Sequence, residues 1–180
     1  MAAAERADPT RWPWWKVALL TVPLIVVAGS LMGYLSNSGF SNQWYAQLEK
    51  PSFQPPGAAF GIIWTILYAL MGVALALVLT ATPSRPRSRG LVLFFTQLLL
   101  NYSWSPIFFG AGLIDWGFLV IIGLNVLVTA TIIAFWRVKP LAGVLLLPYL
   151  AWLCLATALN YETGRLNPGA DRASLGITGA

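Results

Sequence analysis

Histidine is absent from this sequence of 180 residues, cysteine occurs only at Cys154, and 9% of the residues are charged. Without histidine, Ser–His couples, most zinc sites and the usual axial ligand of a haem iron are excluded. The single cysteine excludes an intrachain disulfide. Soluble domains carry about 25% charged residues, so this composition indicates a chain that folds in lipid. We predict no metal site and no resident cofactor.

Hydrophobic residues make up 58% of the chain and are concentrated in long runs without Asp, Glu, Lys or Arg. The runs cover residues 17–35, 58–80, 91–111, 116–136 and 141–161. A helix needs about 20 residues to cross the hydrocarbon core of a bilayer. The sequence therefore predicts an all-α membrane protein, a bundle of five transmembrane helices within residues 17–162.

Three segments lie outside the predicted helices. Residues 1–16 form an N-terminal tail that ends in an interfacial anchor, the sequence RWPWWK. Residues 36–57 form a long loop, rich in aromatic residues and proline, that either lies on the lipid headgroups or caps the bundle. Residues 163–180 are predicted to be a disordered tail. Asp115 is expected to cap the fourth helix by accepting a backbone N–H.

Basic residues are distributed unequally between the two sides that five crossings define. One side carries Arg6, Arg11, Lys16, Arg85, Arg87, Arg89, Arg137 and Lys139, and the other carries Lys50, Arg165 and Arg172. Because cytoplasmic loops are enriched in Lys and Arg, we predict a cytoplasmic N-terminus and an external C-terminus. The net charge of +5 then reflects topology and anionic headgroups. The lipid bilayer, and not nucleic acid, is the predicted partner of these charges.

Aromatic and amide side chains recur at helical spacing inside the apolar runs. The three stripes are Phe60, Trp64 and Tyr68; Gln97, Asn101, Trp104 and Phe108; and Tyr149, Trp152, Ala156 and Asn160. Residues three or four apart lie on one helix face, and amides in hydrocarbon are expensive unless they face protein or a cavity. If the stripes converge, they enclose an uncharged cavity for a large flat molecule with a polar edge. The alternative is helix packing with interhelical hydrogen bonds.

Four segments of the chain together resemble one known family. They are WYAQLEKPSFQPP, WTILYALMG, TQLLLNYSWSPIFFG and PYLAWLCLATALNYE. From about Gly29 to Asn167 the chain resembles the TspO/MBR family, which comprises the tryptophan-rich sensory proteins and the translocator proteins. The resemblance implies a five-helix bundle, commonly a homodimer, with a pocket for porphyrins, haem or sterols. It assigns ligand-binding roles to Tyr45, Trp64, Asn101, Trp152 and Ala156.

The helical stripes and the family resemblance together predict one set of ligand-binding residues. The set is Tyr45, Trp64, Tyr68, Gln97, Asn101, Trp104, Phe108, Tyr149, Trp152 and Ala156. A weak sterol-recognition pattern can also be written with Leu159, Tyr161 and Arg165.

The resemblance implies a receptor in a bacterial cell membrane that binds protoporphyrin IX or haem as sensor, scavenger or translocator. A second possibility is light- and oxygen-dependent degradation of protoporphyrin IX, with Trp64 and Trp152 as the catalytic residues. A third is a regulatory membrane partner, or a sterol or lipid binder, in which the rings only pack helices.

Overall fold

The computed structural model describes residues 12–179, and within that range every regular element is helical. Five helical spans are long and apolar enough to cross a membrane. They are Trp14–Leu35, Gly57–Leu79, Arg85–Gly110, Ile114–Trp136 and Pro140–Leu166. The predicted class, an all-α membrane protein with five transmembrane helices, is confirmed. Residues 1–11 of the predicted tail, with Arg6 and Arg11, lie outside the described residues.

The spans are built from the following elements. They are α1 (Trp14–Leu35), the short α2 (Gln43–Gln47), α3 (Gly57–Leu79), α4 (Arg85–Ser105) with a π-helical turn at Pro106–Gly110, α5 (Ile114–Trp136), α6 (Pro140–Val144) and α7 (Leu147–Leu166). Helix α1 packs mainly on α3, α4 on α5, and α5 on α7. The loop at 36–56, which includes α2, is called the lid below.

All five spans begin earlier than the charge-free runs predict, and the difference is largest for α1 and α4. Helix α1 starts at Trp14 and so includes part of the interfacial anchor. Helix α4 starts at Arg85, where the Ser84 side chain accepts a hydrogen bond from the Arg87 N–H. Arginine is a good helix former, and the Arg87 guanidinium donates to the carbonyl oxygens of Val78 and Leu79 at the end of α3. Basic residues can therefore begin a span although they end an apolar run.

Prolines interrupt the last part of α4 and the fifth span. The π-helical turn starts at Pro106, which has no N–H to donate to the helix. The fifth span breaks between α6 and α7, just before Pro148. The first interruption contains Phe108 and Phe109, which therefore lie in the π-helical turn.

Glycines allow α1 and α3 to pack closely. A Cβ at Gly29 would lie 2.2 Å from Cε2 of Tyr68, and a Cβ at Gly72 would lie 2.6 Å from Cα of Val22. Small residues at helix contacts let backbones approach in membranes. Gly29, half of a GxxxG pair with Gly33, therefore serves packing inside this bundle.

The C-terminal residues differ most from the prediction of a disordered tail over 163–180. Helix α7 continues to Leu166, and residues 167–179, here called the C-terminal strap, return to the start of α5. The buried Asp115 carboxylate accepts backbone N–H groups of Leu175 (2.6 Å), Ile177 (3.2 Å) and Thr178 (2.9 Å). A buried carboxylate needs several donors, and the strap supplies them.

Asp115 thus accepts hydrogen bonds from the strap and not from the first turn of its own helix. The carboxylate of Asp171 instead accepts the Asp115 N–H at 2.7 Å, so a strap residue satisfies a free donor at the start of α5. These hydrogen bonds between the strap and the start of α5 explain why the strap is ordered although it has few apolar residues.

Candidate ligand-binding cavity

The bundle encloses a cavity of about 760 Å³ below the lid. Ligand pockets in proteins are about 300–1,000 Å³. Of the predicted residues, those that line it are Tyr45, Trp64, Tyr68, Asn101, Trp104, Phe108, Trp152 and Ala156. The lining also includes Phe40, Gln54, Phe60, Phe109, Leu153, Asn160 and Thr163. Among the described residues of the lining, none carries a charge.

Indole and phenol rings form much of the wall. The ring centroids of Trp64 and Trp152 are 6.5 Å apart with their planes at 86°, and the Trp64 ring also lies 5.2 Å from Tyr68. On α4, Trp104 and Phe108 stack at 4.9 Å with an interplanar angle of 13°. Their i, i+4 spacing places both rings on one face. The cavity thus presents broad flat surfaces at several angles.

A hydrogen-bonded chain of polar groups lies at the inner end of the cavity. The Tyr68 hydroxyl donates to Oδ1 of Asn101, and Nδ2 of Asn101 donates to the Tyr149 hydroxyl oxygen, both at 2.9 Å. These bonds satisfy the buried amide and join α3, α4 and α7. The interhelical role that the sequence allows for this amide is therefore real, and Asn101 faces the cavity as well.

Two predicted site residues lie behind the wall. Tyr149 is 1% exposed and supports Asn101 and the Trp64 ring, whose centroid is 6.1 Å from its own. Gln97 is 1% exposed, does not line the cavity, and both polar atoms of its amide are without a hydrogen-bond partner.

The residues of the sterol pattern point in different directions. Leu159 lines the cavity, whereas Tyr161 is half-exposed beside the Phe118 ring. Arg165 forms an exposed ion pair with Glu162 at 2.6 Å. The three side chains therefore share no single surface.

The lid closes one end of the cavity, which is the second of the two positions that the sequence allows for this loop. Asn42 donates to the Phe109 carbonyl oxygen at 3.0 Å, and Trp44 Nε1 donates to the Ala170 carbonyl oxygen at 3.2 Å. Glu49 and Asn167 exchange two hydrogen bonds, at 2.6 and 2.9 Å. The lid is thus fastened to the π-helical turn and to the strap.

Tyr45 occupies the inner face of the lid. Its ring centroid lies 4.9 Å from that of Phe109, and its hydroxyl donates to Oε1 of Gln54 at 3.1 Å. Burial raises the pKa of this phenol, and the hydrogen bond with Gln54 partly offsets the effect. The Tyr45 side chain therefore stays neutral and offers the cavity a ring and a hydroxyl.

Between α1 and α3 the cavity is open to the side. Its lining there includes exposed residues of both membrane-spanning helices, namely Ser30, Tyr34, Ala58, Gly61 and Thr65. A Cβ at Gly61 would meet no atom within 4 Å. These exposed lining residues form the lateral edge of the cavity, on α1 and α3.

Comparison with known proteins assigns the family. Residues 21–166 match the model of the TspO/MBR family. The chain belongs to this family. It is 38% identical over 159 residues to the translocator protein of Homo sapiens, an alignment that covers 87% of this chain and 93% of the human protein.

Relatives from bacteria are similar to the same degree. The tryptophan-rich protein TspO of Chlorobaculum tepidum is 44% identical over 131 residues, which cover 69% of this chain and 80% of that protein. Protein CrtK of Rhodobacter capsulatus is 40% identical over 133 residues, covering 73% and 83%.

Several cavity residues of this TspO/MBR protein are absent from the predicted set. Phe40 and Gln54 belong to the lid, where the cluster of aromatic residues is the available signal. Phe109 follows the proline that creates the π-helical turn. Thr163 continues the stripe of Ala156 and Asn160 by one further turn, so helical spacing alone would have found it. Within residues 12–179, no three His, Cys, Asp or Glu residues form a group that could hold a metal ion.

Proposed function

We propose that this TspO/MBR protein binds a porphyrin in the cavity below the lid, and that it acts in porphyrin sensing, scavenging or translocation. The observation that carries the proposal is an uncharged cavity of about 760 Å³ with walls built from Trp64, Trp104 and Trp152. Aromatic rings bind flat apolar molecules by stacked or edge-on contacts. A porphyrin is flat, large and mostly apolar, which matches these walls.

Two buried polar atoms support a ligand with a polar edge. Trp104 Nε1 and Asn160 Oδ1 lack hydrogen-bond partners, and both lie beside Gly117, 3.4 and 3.1 Å from the position of a Cβ on that residue. One is a donor and the other an acceptor, and unmade hydrogen bonds of buried groups are costly. A ligand that displaces this part of the wall can accept a hydrogen bond from Trp104 Nε1 and donate one to Asn160 Oδ1.

We propose metal-free protoporphyrin IX as the guest to test first. Among the described residues that line the cavity there is no His, Cys or Met, the side chains that most often ligate haem iron. Cys154 is exposed on α7 and lies outside the lining. Haem can serve as a comparison ligand in the same assay.

The test is a titration of the full chain in lipid nanodiscs with protoporphyrin IX. Binding is measured from the shift of the porphyrin Soret band. The double variant Trp64→Leu, Trp152→Leu is expected to weaken binding at least tenfold, because two wall rings are lost. The matched control is Trp136→Leu, since Trp136 is half-exposed and outside the cavity. Unchanged affinity in the double variant, with the thermal midpoint preserved, would remove this assignment.

A second candidate function is photo-oxidative breakdown of the bound porphyrin. The contact of Trp64 with Trp152, 6.5 Å between centroids at the cavity wall, favours it because indoles next to an excited porphyrin can be oxidised. Illumination in air should then bleach the Soret band faster with the wild type than with the double variant at saturating protein. Equal bleaching rates would contradict breakdown and support binding without chemistry. The sterol pattern is not part of the proposal, because its residues share no surface.

A further inference from the structure

Lys50 is a charged residue of the lid that lies against two rings of the cavity lining without being part of that lining. The Lys50 ammonium lies 4.4 Å from the ring centroid of Tyr45 and 5.7 Å from that of Phe40. Both rings line the cavity. Lys50 is half-buried, and its ammonium lies against these two rings at the lid end of the cavity.

The ammonium has neutral partners only. It donates to the carbonyl oxygens of Tyr45 and Leu48, the second at 2.5 Å. In the part of the chain that the structure describes, no carboxylate lies within ion-pair distance of Lys50, whereas Arg165 is paired with Glu162. Burial lowers the pKa of Lys50, as expected for a partly desolvated cation without a counter-ion. An anion placed near it would gain more than one near a fully hydrated lysine.

We infer that Lys50 is a specificity-determining residue that selects flat apolar ligands bearing a carboxylate at their edge. The ring system would lie among the tryptophans, and the acid group would reach the lid, where Lys50 supplies the counter-charge. The inference rests on the proposed function and narrows it to planar amphipathic acids. Protoporphyrin IX belongs to that class, because it carries two propionic acid side chains.

Lys50 also has a structural role at the end of α2, and the experiment separates this role from the proposal. Its two carbonyl partners lie at the end of α2, and lysines commonly cap the last carbonyls of helices. A purely structural lysine would affect every ligand of the cavity alike. A counter-ion would affect only acids.

The test compares protoporphyrin IX with its dimethyl ester, which has the same ring system without the negative charges. Both are titrated against wild type, Lys50→Met, Lys50→Arg and Arg172→Met in nanodiscs of neutral lipid. Lys50→Met keeps the aliphatic stem and removes the charge. Arg172 is the matched control, since its guanidinium lies 5.9 Å from the ring of Trp44, which does not line the cavity.

The expected result is a loss of about tenfold in affinity for the acid in Lys50→Met, with affinity for the ester changed by less than about twofold. Lys50→Arg should retain the preference for the acid, and Arg172→Met should match the wild type. Equal weakening of acid and ester in Lys50→Met, or no change for either, would overturn the inference while leaving porphyrin binding intact. If the wild type binds neither compound, the proposed function fails and the inference fails with it.

Discussion

At the scale of single residues, the bundle contains two buried amides on one helix with opposite surroundings. Asn101 is bonded to the hydroxyls of Tyr68 and Tyr149, whereas Gln97, one turn earlier on α4, has no partner for either polar atom. A buried polar group without a hydrogen bond costs about 1–3 kcal/mol. The same residue chemistry therefore stabilises the fold at one position and destabilises it at the next turn.

Replacement of Gln97 by methionine should raise the stability of the bundle. Methionine has a similar shape and leaves no unmet hydrogen bond, so a gain of about 1 kcal/mol is expected. Asn101→Leu is the opposed control, because it removes the partner of two buried tyrosines and should lower stability by about 1–3 kcal/mol. Thermal unfolding in detergent measures both. A Gln97→Met variant as unstable as Asn101→Leu would mean that Gln97 makes hydrogen bonds through water.

At the scale of elements, α1 and α3 pack backbone against backbone at one glycine. Gly72 meets the backbone of Val22 there, whereas Gly61, on the same helix, faces open space. The backbone cannot move aside as a flexible side chain can. Gly72 should therefore tolerate an added Cβ less well than Gly61.

Gly72→Ala is accordingly expected to destabilise the protein by about 1–3 kcal/mol through overpacking. Gly61→Ala should be neutral or slightly stabilising, because alanine is the better helix former and its Cβ meets no atom. Thermal midpoints of the two variants give the comparison. Equal midpoints would show that α1 shifts away from α3 without loss of stability.

The C-terminal strap contacts two segments that are distant from it in sequence. It binds the lid through Ala170 and Asn167 and the start of α5 through Asp115. A Cβ at Gly164 would lie 1.9 Å from the Thr178 hydroxyl oxygen, so α7 also packs directly on the end of the strap.

Asp115→Ala and Gly164→Ala should each release the strap, the first by removing its acceptor and the second by collision with Thr178. Proteolysis within residues 167–179 is expected to speed up about tenfold in both, since only segments that open locally are cleaved. Glu162→Ala, which removes an exposed ion pair, is the control and should match the wild type. A strap that remains resistant in both variants would be held by other contacts.

At the scale of the whole molecule, the direction of insertion remains a prediction from charge. Eight basic residues lie on the side of the N-terminus and three on the side of the lid and strap. If the lid side faces outward, the lid end of the cavity lies at the outer leaflet.

Single cysteines in a Cys154→Ser background test this direction. Ser52 in the lid and Ser88 at the start of α4 are both exposed. In sealed right-side-out vesicles, a membrane-impermeant maleimide should label Ser52→Cys and leave Ser88→Cys unlabelled until detergent is added. The reverse pattern would contradict the orientation that the positive-inside rule predicts.

What the sequence determined by itself is the five spans and most of the aromatic wall. A lipid solvent requires about 20 apolar residues for each crossing, and that requirement is local, so it can be read from runs of residues. Helical spacing is local as well, and it correctly grouped Trp64 with Tyr68 and Trp152 with Ala156 along the cavity.

Only the tertiary structure decided which stripe members face the cavity and what holds the ends of the bundle. Gln97 and Tyr149 share stripes with Asn101 and Trp152, yet the way their helices pack puts both behind the wall. Asp115 meets a strap about 60 residues later in the chain, and the lid is fastened by Asn167. These contacts depend on how helices are rotated and where loops return, and neither follows from spacing along one helix, because each is set by packing between segments distant in sequence.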